Sequence, residues 1–329
     1  MKRIAFFDTK AYDKEWFDAC NQERFEIEYY ESKLTAKTVG LAAGADAVCA
    51  FVNDDLSAGV LGRLKEMKVS VIAMRCAGFS NIDFKALGEG MRVVRVPAYS
   101  PYAVAEFAMG MLLSVNRKLH KAYNRTRDFN YNINGLTGMD LYGKTVGVIG
   151  TGKIGQVFIS ICRGFGMKVL AYDPYPNGKL DCDYVELNRL FRESDVISLH
   201  CPLTEQTRHL VNAEAIAEMK SHTILINTSR GGLIESRALL NALQEKRIGG
   251  AGLDVYEEEA EWFFEDHSTE GIVDDILSLL TVLPNVLVTS HQAFLTEEAL
   301  RNIALITLQN LEDYFAGKPL VNEVLPAMK

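Results

Sequence analysis

Short runs of apolar, β-branched residues alternate with helical patterns along the whole chain of 329 residues. Such alternation is typical of parallel sheets in which a helix connects each strand to the next. Because eleven strands are more than a single sheet usually contains, the pattern predicts two α/β domains. The predicted strands are residues 4–7, 25–30, 47–51, 69–75, 93–96, 145–150, 168–172, 195–199, 223–227, 251–255 and 286–289.

The domain boundary is predicted at the loop that Pro97 and Pro101 bracket, because a helical pattern over residues 102–127 follows it. Thr296 begins another predicted helix, as an N-cap with two glutamates in the first turn. That helix would return the chain to the first domain, where residues 320–325 would pack. We therefore expect a discontinuous first domain of residues 1–100 plus 299–329, and a second domain of residues 101–298.

Composition and charge exclude several classes of protein. The net charge is −8 and the pI about 5.4, which speaks against a nucleic-acid partner. No apolar run approaches the ~20 residues that span a bilayer, and the N-terminus does not resemble a signal peptide, so a cytoplasmic location is expected. The six cysteines are scattered without metal-ligand spacing, which predicts mostly buried thiols and no metal site.

A glycine-rich turn carries the most informative local signal. Gly150, Gly152 and Gly155 form a GxGxxG between a predicted strand and a helical pattern over residues 154–165, and Asp173 closes the next strand. This context predicts a dinucleotide site in which the helix N-terminus binds the pyrophosphate. An acid at Asp173 favours NAD over NADP, because a carboxylate would repel a 2′-phosphate. The first domain has no glycine turn after its opening strand, so it is the expected substrate half.

Three polar residues follow strands of the second domain, where parallel sheets border their ligands. Arg230 is suited to grip a carboxylate, although an arginine that caps a turn would look the same. His291 is suited to exchange protons near neutral pH, although a lone histidine is more often structural. Glu259 lies in an acidic run, and most such runs are solvated faces. Cys201 beside His200 is an unconvincing nucleophilic pair, since adjacent strand residues point to opposite faces.

Segments in both halves of the chain resemble the D-2-hydroxyacid dehydrogenase family, and closely resemble its bacterial D-lactate dehydrogenase branch. They occur in the family's order and cover essentially the whole chain, so together they are far more specific than the glycine turn. The segments are VGVIGTGKIG (146–155), DVISLHCP (195–202), NTSRG (227–231), LDVYEEE (253–259), HQAFL (291–295), FVND (51–54), RCAG (75–78) and VRVPAY (94–99).

The resemblance implies an α/β fold of two Rossmann-like or flavodoxin-like domains with parallel sheets and a catalytic cleft between them. It also implies a catalytic set of Arg230, Glu259 and His291. His291 would exchange a proton with the C2 oxygen of the substrate, and Glu259 would hydrogen-bond the imidazole and stabilise its charged form. Arg230 would bind the substrate carboxylate while hydride passes between nicotinamide and C2.

Further contacts carry over from the family. Beside the three glycines and Asp173, the implied cofactor contacts are Lys153, Ile154, Cys201, Pro202, Gln206, Thr228, Ser229, Arg230 and Asp254. The family often has Asn where Gln206 stands, so this position departs from the family pattern. Beside Arg230, the implied substrate contacts are Phe51, Ala77, Gly78, Tyr99 and Phe294. In each of these five the alternative is an ordinary turn or a packed aromatic ring.

The resemblance implies an NAD-dependent enzyme that reduces pyruvate to D-lactate in cytoplasmic fermentation. The alternatives are a relative for a bulkier 2-keto acid, such as 2-ketoisocaproate or phenylpyruvate, or an NAD-sensing corepressor-like binding protein built on the same fold. Bulky rings at Phe51 and Phe294 favour the small methyl group of pyruvate. The family commonly pairs through the nucleotide domain, so a homodimer or a tetramer is expected, without nucleic acid or membrane partners.

Overall fold

A computed structural model describes residues 1–88, 90–180 and 182–325 and contains two parallel sheets. The strands are β1 (Lys2–Phe6), β2 (Phe25–Tyr29), β3 (Ala47–Ala50), β4 (Val71–Met74), β5 (Arg92–Arg95), β6 (Thr145–Ile149), β7 (Lys168–Tyr172), β8 (Asp183–Tyr184), β9 (Val196–Leu199), β10 (Ile224–Asn227), β11 (Gly250–Leu253) and β12 (Val286–Val288). The helices are α1 (Ala11–Asn21), α2 (Ala58–Glu66), α3 (Phe84–Leu87), α4 (Pro101–Asn116), α5 (Leu119–Arg127), α6 (Lys153–Gly164), α7 (Leu187–Glu193), α8 (Ala213–Glu218), α9 (Ser236–Gln244), α10 (Asp275–Val282) and α11 (Glu297–Phe315).

The chain groups into two compact units, residues 1–100 with 295–329 and residues 101–294. The predicted return point was residue 299, and residues 326–329 of that predicted segment lie outside the described residues. The return falls at Leu295 because the N-cap belongs with its helix: the Thr296 side chain accepts the Ala299 N–H at 3.2 Å. The tail lies against β5, where Val324 N–H donates to the carbonyl of Val93 at 2.9 Å.

Unit 1 has the strand order β2-β1-β3-β4-β5 and unit 2 the order β12-β11-β10-β9-β6-β7-β8, with every pairing parallel. These are the flavodoxin-like and doubly wound arrangements, and the predicted fold class is confirmed. The inner strands β3, β4, β9, β10 and β11 are buried throughout. Helices cover both faces of such sheets, and this explains the continuous apolar runs in the sequence.

Two elements differ from the prediction. The two-residue strand β8 at the edge of the second sheet was missed, because it is too short to show a pattern. The single helix predicted over residues 102–127 is wrong: α4 ends at Asn116 and α5 begins at Leu119. Lys118 between them has a left-handed backbone with φ +53°. The Asn116 amide also bonds the backbone of Met139, which ties the end of α4 to a later segment.

All six cysteines are free and five of them are buried, so the prediction of mostly buried thiols is confirmed. In the part of the chain that the structure describes, no helix is both long and apolar enough to cross a bilayer.

Candidate active site

The three candidate catalytic side chains follow neighbouring strands of unit 2. Arg230 comes after β10, Glu259 after β11 and His291 after β12, and these strands are adjacent in the sheet order. Because the carboxyl ends of parallel strands meet at one edge of a sheet, the fold itself brings the three segments to the same edge.

His291 and Glu259 form a close pair. The imidazole Nδ1 lies 2.7 Å from Oε1 of Glu259, and both side chains are mostly buried, at 20% and 18% exposed. The second carboxylate oxygen, Oε2, accepts the Tyr256 N–H at 2.9 Å, which fixes the plane of the carboxylate. Glu259 is therefore not part of a solvated acidic face. Since Nδ1 is directed at Glu259, the imidazole retains Nε2 for proton exchange.

A buried carboxylate shapes the turn that carries His291. Asp254 is fully buried; its side chain accepts from Thr289 Oγ1 at 2.5 Å and from the N–H groups of Gln292 and Ala293 at 2.9 and 2.8 Å. Its carbonyl accepts the His291 N–H at 2.7 Å, and His291 has φ +54°. Burial raises the pKa of Asp254, and these hydrogen bonds oppose the rise. This structural role of Asp254 was missed by sequence reasoning.

Arg230 is held by a side chain at the end of β10. Asn227 accepts the Ser229 N–H through Oδ1 at 3.0 Å and donates from Nδ2 to the carbonyl of Arg230 at 2.9 Å. The guanidinium itself donates to the carbonyl of Ser229 at 2.7 Å. Among the described residues of unit 2, no carboxylate pairs with it. It is thus a half-buried cation suited to bind an acid.

Gly231 sets the spacing between the segments that bear Arg230 and Glu259. A Cβ built on Gly231 would lie 2.0 Å from the carbonyl carbon and oxygen of Tyr256, and 2.4 Å from the nitrogen of Glu257. Backbone therefore packs directly on backbone here, and only glycine permits that approach.

One aromatic contact to His291 was also missed. The Phe264 ring lies 5.9 Å from the imidazole centroid, at 35° to its plane. Trp262 packs against His267, and Phe263 is buried in the core, so the aromatic run serves mainly packing. No spacing in the sequence indicates that Phe264 alone would reach the imidazole.

His200 and Cys201 do not form a reactive pair. Burial lowers the pKa of His200 to about 3 and raises the pKa of the Cys201 thiol to about 11. The His200 ring instead meets Ser198 Oγ, with 2.9 Å between Nε2 and the hydroxyl. Near neutral pH the Cys201 thiol is therefore protonated and His200 is too weak a base to activate it.

The glycine turn between β6 and α6 fits a dinucleotide. A Cβ on Gly150, which has φ +96°, would lie 2.6 Å from the Cys201 nitrogen, and one on Gly155 would lie 2.1 Å from the carbonyl oxygen of Gly150. Packing of the protein therefore requires both glycines. A Cβ on Gly152 would meet no atom within 4 Å, and its φ is an ordinary −64°. Close approach of a pyrophosphate supplies the reason for glycine at that position.

Asp173 is tied to the glycine turn by three bonds. Oδ2 accepts the backbone N–H and the hydroxyl of Thr151 at 2.7 and 3.0 Å, and Oδ1 accepts the Tyr175 N–H at 2.9 Å. Each oxygen of a carboxylate has about two acceptor sites, so Oδ1 retains capacity for a ribose hydroxyl. Asp173 thus stabilises the turn as well as standing where the ribose is expected.

The other predicted cofactor contacts range from buried to exposed side chains. The buried Thr228 hydroxyl has no partner among the described residues, and Ser229 Oγ donates to the carbonyl of Cys201 at 2.7 Å. An unpartnered buried hydroxyl beside Arg230 fits a group that a cofactor would contact. The remaining predicted side chains are the exposed Pro202, Gln206 and Lys153 and the half-buried Ile154.

In unit 1, the loop after β4 presents unpaired N–H groups. Arg95 donates to the carbonyl of Ala77 at 2.7 Å, and the Cys76 thiol donates to the carbonyl of Gly78 at 3.3 Å. Among the described residues, the N–H groups of Ala77 and Gly78 have no acceptor. The loop is therefore fixed through its carbonyl groups, with donors left for an anion.

Three aromatic residues complete the predicted set. Tyr99 is half-buried, and its carbonyl accepts from Asn302 at 2.8 Å. Phe51 is half-buried at the end of β3, and Phe294, in unit 2, is buried at 9% exposure.

Comparisons with known proteins identify the family of this chain. Residues 109–293 match the family described as D-isomer specific 2-hydroxyacid dehydrogenase, NAD binding domain. D-lactate dehydrogenase of Escherichia coli (strain K12) is 52% identical over 98% of this chain and 100% of that protein. The apo-structure of D-lactate dehydrogenase from Escherichia coli has TM-score 0.90 at 49% identity, covering 98% of this chain and 100% of that chain.

One further comparison concerns a structure that contains NAD. The NAD complexed form of D-isomer specific 2-hydroxyacid dehydrogenase from Lactobacillus delbrueckii ssp. bulgaricus has TM-score 0.84 at 31% identity, covering 98% of this chain and 100% of that chain. The likeness extends over essentially the full length of both chains, so it includes both units.

Asp173 should determine the preference between NADH and NADPH. Asp173→Ala should bring the dissociation constants for NADH and NADPH closer together, because it removes the carboxylate that repels a 2′-phosphate. Asp173→Asn separates loss of the charge from damage to the glycine turn, since it removes the charge but keeps an acceptor for Thr151. Fluorescence titration measures both constants. Equal affinity of the wild type for the two cofactors would contradict the assignment.

Proposed function

Since the chain belongs to the D-isomer specific 2-hydroxyacid dehydrogenase family and is an NAD-dependent oxidoreductase, we propose that it reduces pyruvate to D-lactate. The observation that carries the proposal is the His291–Glu259 pair, with 2.7 Å between Nδ1 and Oε1. The names of the similar D-lactate dehydrogenases support the choice of substrate.

In this proposal His291 is the acid in reduction and the base in oxidation. Glu259 accepts a hydrogen bond from the Nδ1–H group, so Nε2 is the atom that gives its proton to the C2 oxygen of pyruvate. Bound NADH supplies the hydride that reaches C2. A carboxylate next to the ring favours the protonated imidazole, which is the form that reduction requires.

The acid group of the substrate needs fixed donors. Arg230 is the proposed partner of the carboxylate, because it bears a permanent charge and has no carboxylate partner among the described residues of unit 2. In unit 1, the N–H groups of Ala77 and Gly78 are proposed as further donors to the substrate carboxylate, because they have no acceptor among the described residues. Asp254 is proposed to bind the nicotinamide carboxamide while it shapes the His291 turn.

Aromatic side chains are proposed to limit the size of the substrate. Phe51, Tyr99 and Phe294 are proposed to line the substrate site, where bulky rings favour a methyl group. A 2-hydroxyacid dehydrogenase for a bulkier 2-keto acid is the second candidate. An NAD-sensing binding protein is disfavoured by the His291–Glu259 pair, which such a protein does not need.

We further propose that the protein is a homodimer or a homotetramer. Helix α5 has no buried residue. In the segment that follows it along the chain, Phe129, Tyr131 and Ile133 are 82%, 72% and 78% exposed. Apolar side chains exposed together indicate a covered surface.

A fermentative role in the cytoplasm is part of the proposal, because reduction of pyruvate regenerates NAD.

The proposed reaction predicts a substrate and a stereochemical outcome. NADH absorbance should fall when pyruvate is added, and chiral chromatography should find D-lactate. The kcat/KM for pyruvate should exceed that for phenylpyruvate. L-lactate as the main product would overturn the proposal, and faster turnover of phenylpyruvate would favour the second candidate.

Removal of His291 or of Glu259 should have different consequences. His291→Gln should lower kcat by ~10²–10⁴-fold, the usual scale of general acid–base catalysis. NADH binding should survive, because the glycine turn is untouched. Glu259→Gln keeps the imidazole but removes the charge that stabilises its protonated form.

The pH profiles of Glu259→Gln test the pair itself. Reduction requires protonated His291, so its rate should decline at lower pH in the variant than in the wild type. Oxidation requires the neutral ring, so it should extend to lower pH. Profiles that superimpose would show that Glu259 does not support the charged imidazole, even where His291 is essential.

Gly231→Ala should displace Arg230 relative to Glu259, because its Cβ would meet the Tyr256 backbone at 2.0 Å. We expect kcat/KM for pyruvate to fall by about 10²-fold, the scale of an ångström-sized misplacement. Gly232→Ala is the matched control: its Cβ would meet side chains and no backbone, namely Leu203 at 3.0 Å and the end of Arg208 at 3.7 Å. Equal activity of the two variants would refute this spacing role.

A further inference from the structure

A buried group of charges lies at the carboxyl ends of β1, β3 and β4 in unit 1. Asp8, Asp13, Asp54 and Arg75 are 0%, 5%, 1% and 3% exposed. The proposed reaction uses none of them. Because a buried charge is costly and a packed apolar group is often at least as stable there, this set calls for a reason other than stability.

Arg75 lies close to two aromatic rings. Its guanidinium carbon is 4.6 Å from the Phe6 ring centroid and 4.7 Å from that of Phe51. Its Nε is 3.3 Å from Asp13 Oδ1, and Nη2 donates to the carbonyl of Asp8 at 2.6 Å. The planar cation is fixed at its edge, so it presents a rigid face to Phe51.

Asp54 fixes the backbone of the same aromatic residue. Its two carboxylate oxygens accept the N–H groups of Phe51 and Leu34, each at 2.6 Å. Asn81 Nδ2 donates to the carbonyls of Phe51 and Asp54 at 3.1 and 2.8 Å. Phe51 is therefore held at its N–H, at its carbonyl and on one ring face.

We propose that Arg75 and Asp54 are positioning residues that fix the Phe51 ring and thereby limit the size of the 2-keto acid side chain. This inference rests on the proposed function, in which Phe51 lines the substrate site. Neither residue touches substrate or cofactor in the proposal. Both act through Phe51.

The chemistry of each group suits that task. Lysine would keep the charge of Arg75 but not the planar surface on which the ring rests. Asparagine at position 54 can accept through one atom only, so one of the two N–H groups would lose its acceptor. Burial raises the pKa of Asp54 to about 6, so assays at pH 7.5 examine the ionised form.

The test measures kcat and KM for pyruvate and phenylpyruvate in Asp54→Asn and Arg75→Lys. KM for pyruvate should rise with little change in kcat, and the ratio of kcat/KM for pyruvate to that for phenylpyruvate should fall by roughly tenfold. Asp46→Asn is the matched control, since Asp46 accepts the Arg3 N–H at the opposite ends of these strands. It should leave the ratio unchanged.

A double variant separates positioning from general destabilisation. Phe51→Ala combined with Asp54→Asn should have the same ratio as Phe51→Ala alone, because Asp54 then has no ring to position. Additive losses would overturn the proposal. If the buried-charge variants fail to fold, as judged by thermal melting and NADH binding, Asn81→Ala keeps the test: its ratio must also fall.

Phe51→Ala distinguishes failure of the proposed function from failure of the positioning role. If this variant leaves the ratio unchanged, Phe51 does not line the substrate site, and that part of the proposed function fails together with the positioning role. If Phe51→Ala changes the ratio while Asp54→Asn and Arg75→Lys do not, the positioning role alone is overturned.

Discussion

The buried carboxylate of Asp254 is the constraint on which the candidate catalytic pair depends. It stands directly after β11 and binds the hydroxyl and the N–H groups of the turn that follows β12. Its own carbonyl accepts the His291 N–H at 2.7 Å. A non-glycine residue with φ +54° is uncommon, and these bonds are what hold His291 in that conformation. The imidazole is thereby directed at Glu259.

The remaining site follows from the order of the strands. Because β10, β11 and β12 are parallel neighbours, the segments bearing Arg230, Glu259 and His291 leave the sheet at one edge. Bare backbone at Gly231 lets the first two segments approach closely. Long-range pairing thus determines which side chains meet, and single backbone contacts determine their spacing.

Much of this could be predicted from the sequence. Buried parallel strands leave continuous apolar runs, and a glycine turn with Asp173 at the end of the next strand is typical of a dinucleotide site. The break at Lys118 left no such pattern, since no residue of α5 is buried. Individual side chains were ambiguous: in the sequence Glu259 is one acid among several, and only its bond to His291 sets it apart.

Contacts between side chains and distant backbone were beyond sequence reasoning. The bonds of Asp254 to the His291 turn join residues 35 to 39 positions apart, and Asp54 reaches Leu34 across 20 positions. No local periodicity encodes such pairs. The same holds for Arg75, whose ring contacts depend on the alignment of three strands.

The proposed chemistry requires that Nδ1 of His291 keep its proton and donate it in a hydrogen bond to Glu259, which leaves Nε2 for the substrate. Nitrogen-15 NMR of the labelled imidazole, at a pH where the ring is neutral, measures this directly. We predict a protonated Nδ1 and an unprotonated Nε2 in the wild type. A neutral ring that carries its proton on Nε2 would contradict the assignment of His291 as the group that exchanges protons through Nε2.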